Sequence, residues 1–138
     1  MPKLDLGDGI AVAQIRIARP TDRLDAVVAF YRDGLGLPEL SRFEGHAGYD
    51  GVMLGLPGRT YHLEFTRHQD GSPCPAPSRD NLIVFYLPEP AQLARARQRL
   101  ERLGHRPVAP ENPYWRDKGV TFEDPDGWRI VLCQSAGI

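Results

Sequence analysis

The chain carries its own outline twice. Gly51-Val-Met-Leu-Gly-Leu-Pro57 lines up with Gly119-Val-Thr-Phe-Glu-Asp-Pro125, 68 residues later. Tyr61-His-Leu-Glu-Phe65 then lines up with Trp128-Arg-Ile-Val-Leu132, with one residue more in the first turn. Pro20 and Pro88 keep the spacing of 68, as do Leu35-Gly36 and Leu103-Gly104. A spacing held through several elements marks an internal duplication and restricts the chain to folds built from two like halves.

Each half reads in the same order. Ala11 to Ala18 alternates with period two, as a strand with two unlike faces does. Pro20-Thr21-Asp22 opens a helix, with Thr21 or Asp22 as its cap. Leu24, Val27, Val28, Tyr31 and Leu35 form its apolar stripe, and Gly34 and Gly36 end it. Strands follow at Leu40 to Gly45, Tyr49 to Leu56 and Thr60 to Arg67. Gln69 to Arg79 holds Pro73, Pro75 and Pro77, which bars helix and central strand and makes it the linker. The second half repeats the plan. Asn81 to Leu87 is a strand, Glu89 to Leu103 a helix with Arg95, Arg99 and Arg102 outward, and Arg106 to Ala109 a short strand. Glu111 to Trp115 is a loop. Gly119 to Cys133 is a hairpin turned by Asp124-Pro125-Asp126-Gly127, where Pro125 presets φ and Gly127 tolerates a positive one.

Two β-α-β-β-β units follow, in the α+β class. One helix per unit covers one face of amphipathic strands. Side by side, two units would make a curved sheet around a central cavity. A single domain is expected: module one at 11–68, linker at 69–79 and module two at 80–134. Ile15 and Leu82 are expected at equivalent positions beneath the two helices.

Charge excludes several partners. The net charge is −1, which gives no electrostatic case for nucleic acid or an anionic membrane. No apolar run approaches the ~20 residues of a membrane span. Cys74 and Cys133 form no metal or redox motif, and a reducing cytoplasmic location is the default.

Three stretches carry a resemblance: Ala29-Phe-Tyr-Arg-Asp-Gly-Leu-Gly-Leu37, His62-Leu-Glu-Phe65, and Phe122-Glu-Asp-Pro-Asp-Gly-Trp-Arg-Ile-Val-Leu132. With them the chain resembles the vicinal oxygen chelate superfamily of glyoxalase I, bleomycin- and fosfomycin-resistance proteins and extradiol dioxygenases. The resemblance spans roughly residues 11 to 134. It implies paired βαβββ modules, a homodimer, and in metal-using members four ligands from the first and last strands of each module.

Carried over residue by residue, Glu64 matches a family ligand well. Gln14 is an acceptable but weak one, with Arg16 on the same face. Asn81 stands where the family has His, and Val131 where it has Glu. Valine has no donor atom, and a divalent cation wants three or more good donors. His62 shares the face of Glu64, so His62, Glu64 and Gln14 form the one alternative ligand set. His46, His68 and His105 read as surface histidines.

Parity along the strands places Arg16, Ile83, Phe85, Arg129 and Cys133 on the face of His62 and Glu64. Two arginines there favour an anionic or carbonyl-bearing ligand. Tyr114 and Trp115 stand ready to stack on a flat one, or to clamp the core. The expectation is a protein that binds a small anionic or aromatic organic molecule without a metal or other cofactor, through Gln14, Arg16, His62, Glu64, Asn81, Phe85, Tyr114, Trp115 and Arg129. The alternatives are a metal-dependent lyase, isomerase, transferase or dioxygenase using Glu64, and a non-catalytic partner-binding domain.

Overall fold

The structure is a computed structural model and describes residues 4–138. Its elements are β1 (Leu4–Asp5), β2 (Ala11–Val12), β3 (Ile15–Pro20), α1 (Leu24–Val28), β4 (Glu39–His46), β5 (Tyr49–Leu54), β6 (Tyr61–His68), β7 (Leu82–Tyr86), α2 (Pro90–Arg102), β8 (Pro107–Val108), β9 (Gly119–Glu123) and β10 (Arg129–Cys133). The chain divides into two compact units. The first holds the residues up to Arg32 and Leu37–Cys74; the second holds Asp33–Gly36 and Pro75–Ile138.

Each unit carries a four-stranded mixed sheet, ordered β3-β6-β5-β4 in the first and β7-β10-β9-β8 in the second. In both, the first strand runs parallel to the last and the others are antiparallel. A parallel pair needs a crossover, and the helix supplies it. The two βαβββ modules expected from the duplication are present, with one topology shared by both.

The register corrects the duplication in detail. Arg16 stands level with His62 as Leu82 stands level with Arg129, so Leu82 is the counterpart of Arg16, not of Ile15. The offset is 66 at the first strand, 67 at the last, and 68 where Gly51 and Gly119 pair with Thr66 and Cys133. Ile15 shares a face with Leu63 and Phe65, whereas Leu82 shares one with Arg129 and Val131.

In the first unit, α1 runs on as a π-helical turn, Ala29–Gly34. Leu24, Val27, Val28 and Tyr31 are buried as the stripe requires, and so is Phe30. The looser turn takes two successive aromatics into the core. Tyr31 stacks on Phe65 with ring centroids 4.9 Å apart, and the Arg19 guanidinium lies 5.0 Å from the Phe65 centroid. Thr21 Oγ1 accepts the Arg23 N–H at 2.9 Å, but Arg23 itself stands at the N-cap and no side chain caps α1, so neither Thr21 nor Asp22 is the cap. Asp22 instead accepts the Ser72 N–H and ties down the linker.

In the second unit, α2 packs Ala96 and Leu100 against β10, all five residues of which are buried. The hairpin turn is closed by two backbone bonds, Asp124 N–H to the Trp128 carbonyl at 2.7 Å and Gly127 N–H to the Asp124 carbonyl at 2.9 Å, and by one side chain. Asp124 Oδ1 accepts the N–H groups of Asp126 at 2.8 Å and Trp128 at 3.0 Å, and Gly127 adopts φ 86°. Asp124 is only 4% exposed. Asp124→Ala strands both donors and should cost about 2–6 kcal/mol, at ~1–3 per unsatisfied group. Asp124→Asn keeps the accepting oxygen and should cost less than half as much. Urea melts compare the two, and equal losses would show that the turn does not depend on that oxygen.

Candidate functional site

On the face of the first sheet turned away from α1, strand parity brings Arg16, His62 and Glu64 together, as the sequence predicts. The Arg16 Nε–H donates to His62 Nε2 at 2.9 Å, and its Nη1 donates to Glu64 Oε2 at 3.3 Å. His62 and Glu64 are buried, while the Arg16 side chain is 48% exposed. Arg16 is thus pinned from below and open above. A cavity of about 210 Å³ opens there, lined by Gln14, Arg16, Leu40, Ser41, Met53 and His62. Met53 was not among the residues expected from the sequence; the register places it level with Glu64 on the same face. Leu40 and Ser41 were hidden by a register shift between Glu39 and Ser41.

The second sheet departs further from expectation. Asn81 lies just before β7, where its Oδ1 accepts the Ser78 hydroxyl at 2.6 Å. Val131 is fully buried, with Val84 level beside it. Arg129 does lie on the face of Val131, but its side chain is 5% exposed and committed within the fold. Its Nε–H donates to Glu123 at 3.0 Å and its Nη1 to the Ala109 carbonyl at 3.0 Å. Arg16, not Arg129, is therefore the partner of Glu64.

Phe85 and Ile83 are corrected outright. They stand level with Leu132 and Ile130, on the helix side, so neither shares a face with Arg129. The physical reason is that Leu82–Tyr86 is apolar without alternation, and only its pairing with β10 fixes which side chains face which way.

Tyr114 and Trp115 sit on a 3₁₀ turn, Pro113–Trp115, capped by Asn112, whose Oδ1 accepts the Tyr114 N–H at 3.0 Å. Gly119 lets this turn lie against β9, since a Cβ there would stand 2.7 Å from the Trp115 carbonyl oxygen. Tyr114 is 76% exposed and meets Trp115 edge to face at 4.9 Å. Both line a cavity of about 350 Å³ with Tyr86, Lys118 and Cys133. This aromatic pocket and the Arg16 cluster belong to different units.

Among the remaining histidines, His46 is exposed and His68 and His105 are half-buried. Burial lowers the pKa of His105, against a smaller upward pull from Asp124. No group of three or more His, Cys, Asp or Glu side chains suited to a metal ion occurs among the described residues. No helix among them is long and apolar enough to cross a membrane.

Comparison with known proteins matches both halves. Residues 15–66 match the YycE-like N-terminal domain, and residues 80–134 the YycE-like C-terminal domain. The uncharacterised protein YycE of Bacillus subtilis (strain 168) is 54% identical over 126 residues, covering 91% of each chain. A crystal structure of a Bacillus subtilis YycE protein, described as of the glyoxalase/fosfomycin-resistance type, has a TM-score of 0.90 at 52% identity over 96% of each chain. TnmS3, an antibiotic-binding protein from Streptomyces sp. CB03234, gives 0.62 at 20% identity over 89% of this chain and 95% of its own. Leishmania major glyoxalase I gives 0.68 at 18% identity over 87% and 84%. The last two likenesses concern the fold alone.

Proposed function

This chain belongs to the YycE-like family, within the vicinal oxygen chelate superfamily, and on that premise we propose that it binds a small anionic or carbonyl-bearing organic molecule at Arg16, without a metal ion. The observation that carries the reading is the bonding of Arg16. Its guanidinium occupies the His62 nitrogen and a Glu64 oxygen, the two strongest donors on that sheet face. A divalent cation there would have to displace a fixed positive charge. Val131 offers no lone pair, and the Asn81 oxygen is already engaged by Ser78. The residues present do not fit the superfamily's metal.

What the cluster can do is orient. Glu64 and His62 hold the guanidinium in one geometry, and its exposed edge keeps N–H donors for a carboxylate, phosphate or carbonyl oxygen. Leu40 and Met53 give the ligand body an apolar wall. The description of TnmS3 as antibiotic-binding directs a first ligand panel toward antibiotics.

A thermal-shift screen over that panel and over small organic acids tests the reading. A true ligand at a hundred times its Kd adds about 2.7 kcal/mol. Arg16→Gln should remove that shift. Protein purified without a histidine tag should carry substoichiometric metal. One equivalent of Zn²⁺, Ni²⁺, Mn²⁺ or Fe²⁺ that is lost in Glu64→Ala would sink the proposal and install the metal-dependent enzyme in its place.

A second copy of the chain completes the reading. β3 is an edge strand, and Ile15 and Ile17 on it are 42% and 56% exposed. An unpaired edge bearing large apolar side chains invites another chain. Light scattering should give a dimer mass that Ile17→Lys reduces to a monomer. A monomer mass for the unaltered chain at every concentration would end this part of the proposal.

A further inference from the structure

We infer that the helix side of the second unit holds a separate site for a small amphiphilic anion: a carboxylate, sulfonate or phosphate carried on an apolar body. A cavity of about 550 Å³ lies there, within the range of small-molecule pockets. Leu35, Phe85 and Leu132 line it, and Arg95, Arg99 and Arg102 stand at its rim.

The charge arrangement is one-sided. Arg95, Arg99 and Arg102 follow one another at i, i+4 and i+7, so they share one stripe of α2. No acidic residue lines the cavity. The helix's own Glu101 is bound at 3.0 Å to Arg97, which is not among the lining residues. Among the described residues, none of the three rim arginines meets a carboxylate. Arg99 is fixed by donating to the Leu35 carbonyl at 2.8 Å, which leaves Arg95 and Arg102 free to close on a ligand.

Neighbouring like charges repel, and an anion among them relieves that cost. The apolar floor rules out a bare inorganic ion as the best fit, because Phe85 and Leu35 stay half-exposed until something apolar covers them. A concave apolar cleft is also the wrong shape for a nucleic-acid backbone, and the net charge of −1 argues the same way. Arg16 belongs to the other unit.

The test uses the full chain and 8-anilinonaphthalene-1-sulfonate as fluorescent probe, with dodecanoate, dodecyltrimethylammonium and inorganic phosphate as competitors. The expected result is saturable one-to-one binding, displaced by dodecanoate and not by the cation or by phosphate. Arg95→Gln/Arg102→Gln should weaken it at least tenfold, and Gln98→Glu, which adds a carboxylate to the rim without touching the core, should weaken it too. Arg16→Gln should leave it unchanged, so failure here and failure of the Arg16 reading are separable. An unchanged Kd in the double variant and in Gln98→Glu overturns the proposal. So does equal displacement by dodecyltrimethylammonium or by phosphate. Absence of probe binding, with a dimer that the double variant converts to monomer, would assign the cleft to a second copy of the chain instead.

Discussion

Phe65→Ala is expected to remove about 3–5 kcal/mol of folding stability, the range for a large aromatic deleted from a packed core. Phe65 is 2% exposed and belongs to the central strand pair of its sheet. Its ring stacks on Tyr31 and carries the Arg19 guanidinium above it. The truncation therefore leaves a void, ends an aromatic pair worth about 0.5–1.5 kcal/mol, and takes from the Arg19 guanidinium the nearer of its two rings, Tyr31 lying 5.9 Å away. Arg19 is 9% exposed. Leu132 is the counterpart in the second unit and is 1% exposed, yet it borders the cleft under α2. The space left by Leu132→Ala can open into that cleft and hydrate, so its loss should fall at the lower end of the 2–5 kcal/mol usual for Leu→Ala. Denaturant melts with matched m-values give both numbers. Less than about 1 kcal/mol for Phe65→Ala would mean that the helix side of the first sheet has been taken for its outer side.

How much the sequence revealed depended on how much alternation each strand carries. β6 alternates, so His62 and Glu64 were legible on one face and Phe65 on the other. Arg16 followed by the same parity, and the structure joins the three. β7 does not alternate. Its residues are apolar at each step, so nothing local says which side chains face the helix, and Phe85 was placed on the wrong side. The duplication made this worse. The spacing is 68 at Gly51 and Gly119 but 67 at the last strand and 66 at the first, and carrying 67 into β7 paired Leu82 with Ile15. Phe30 was absent from the helical stripe because a period of 3.6 does not describe a π-helical turn. The arginine face of α2 looked like an ordinary solvated helix. Only the cavity beside it, with Phe85 in its lining, gives those charges something to act on.

The parity of Arg129 was legible, whereas its role was not, although Glu123 and Arg129 flank the hairpin turn and pair across it. Glu123→Gln should cost about 2–4 kcal/mol. The guanidinium of Arg129 is 5% exposed, and removing its counter-charge leaves a buried cation with only neutral acceptors, the amide oxygen in place of the carboxylate and the Ala109 carbonyl. Breaking a buried pair from one side typically costs ~3–5 kcal/mol. The lower range applies here because Glu123 is 39% exposed and water can enter beside it. Arg129→Met should cost less than Glu123→Gln, since it removes the charge and keeps an apolar chain of similar length. The double variant should recover much of the loss, giving a coupling of about 1–3 kcal/mol in a double-mutant cycle. A structural Arg129 also predicts that ligand-induced melting shifts survive in Arg129→Met and vanish in Arg16→Gln. If Arg129→Met leaves basal stability intact but removes those shifts, then Arg129 binds the ligand after all, and the pairing with Glu123 is incidental.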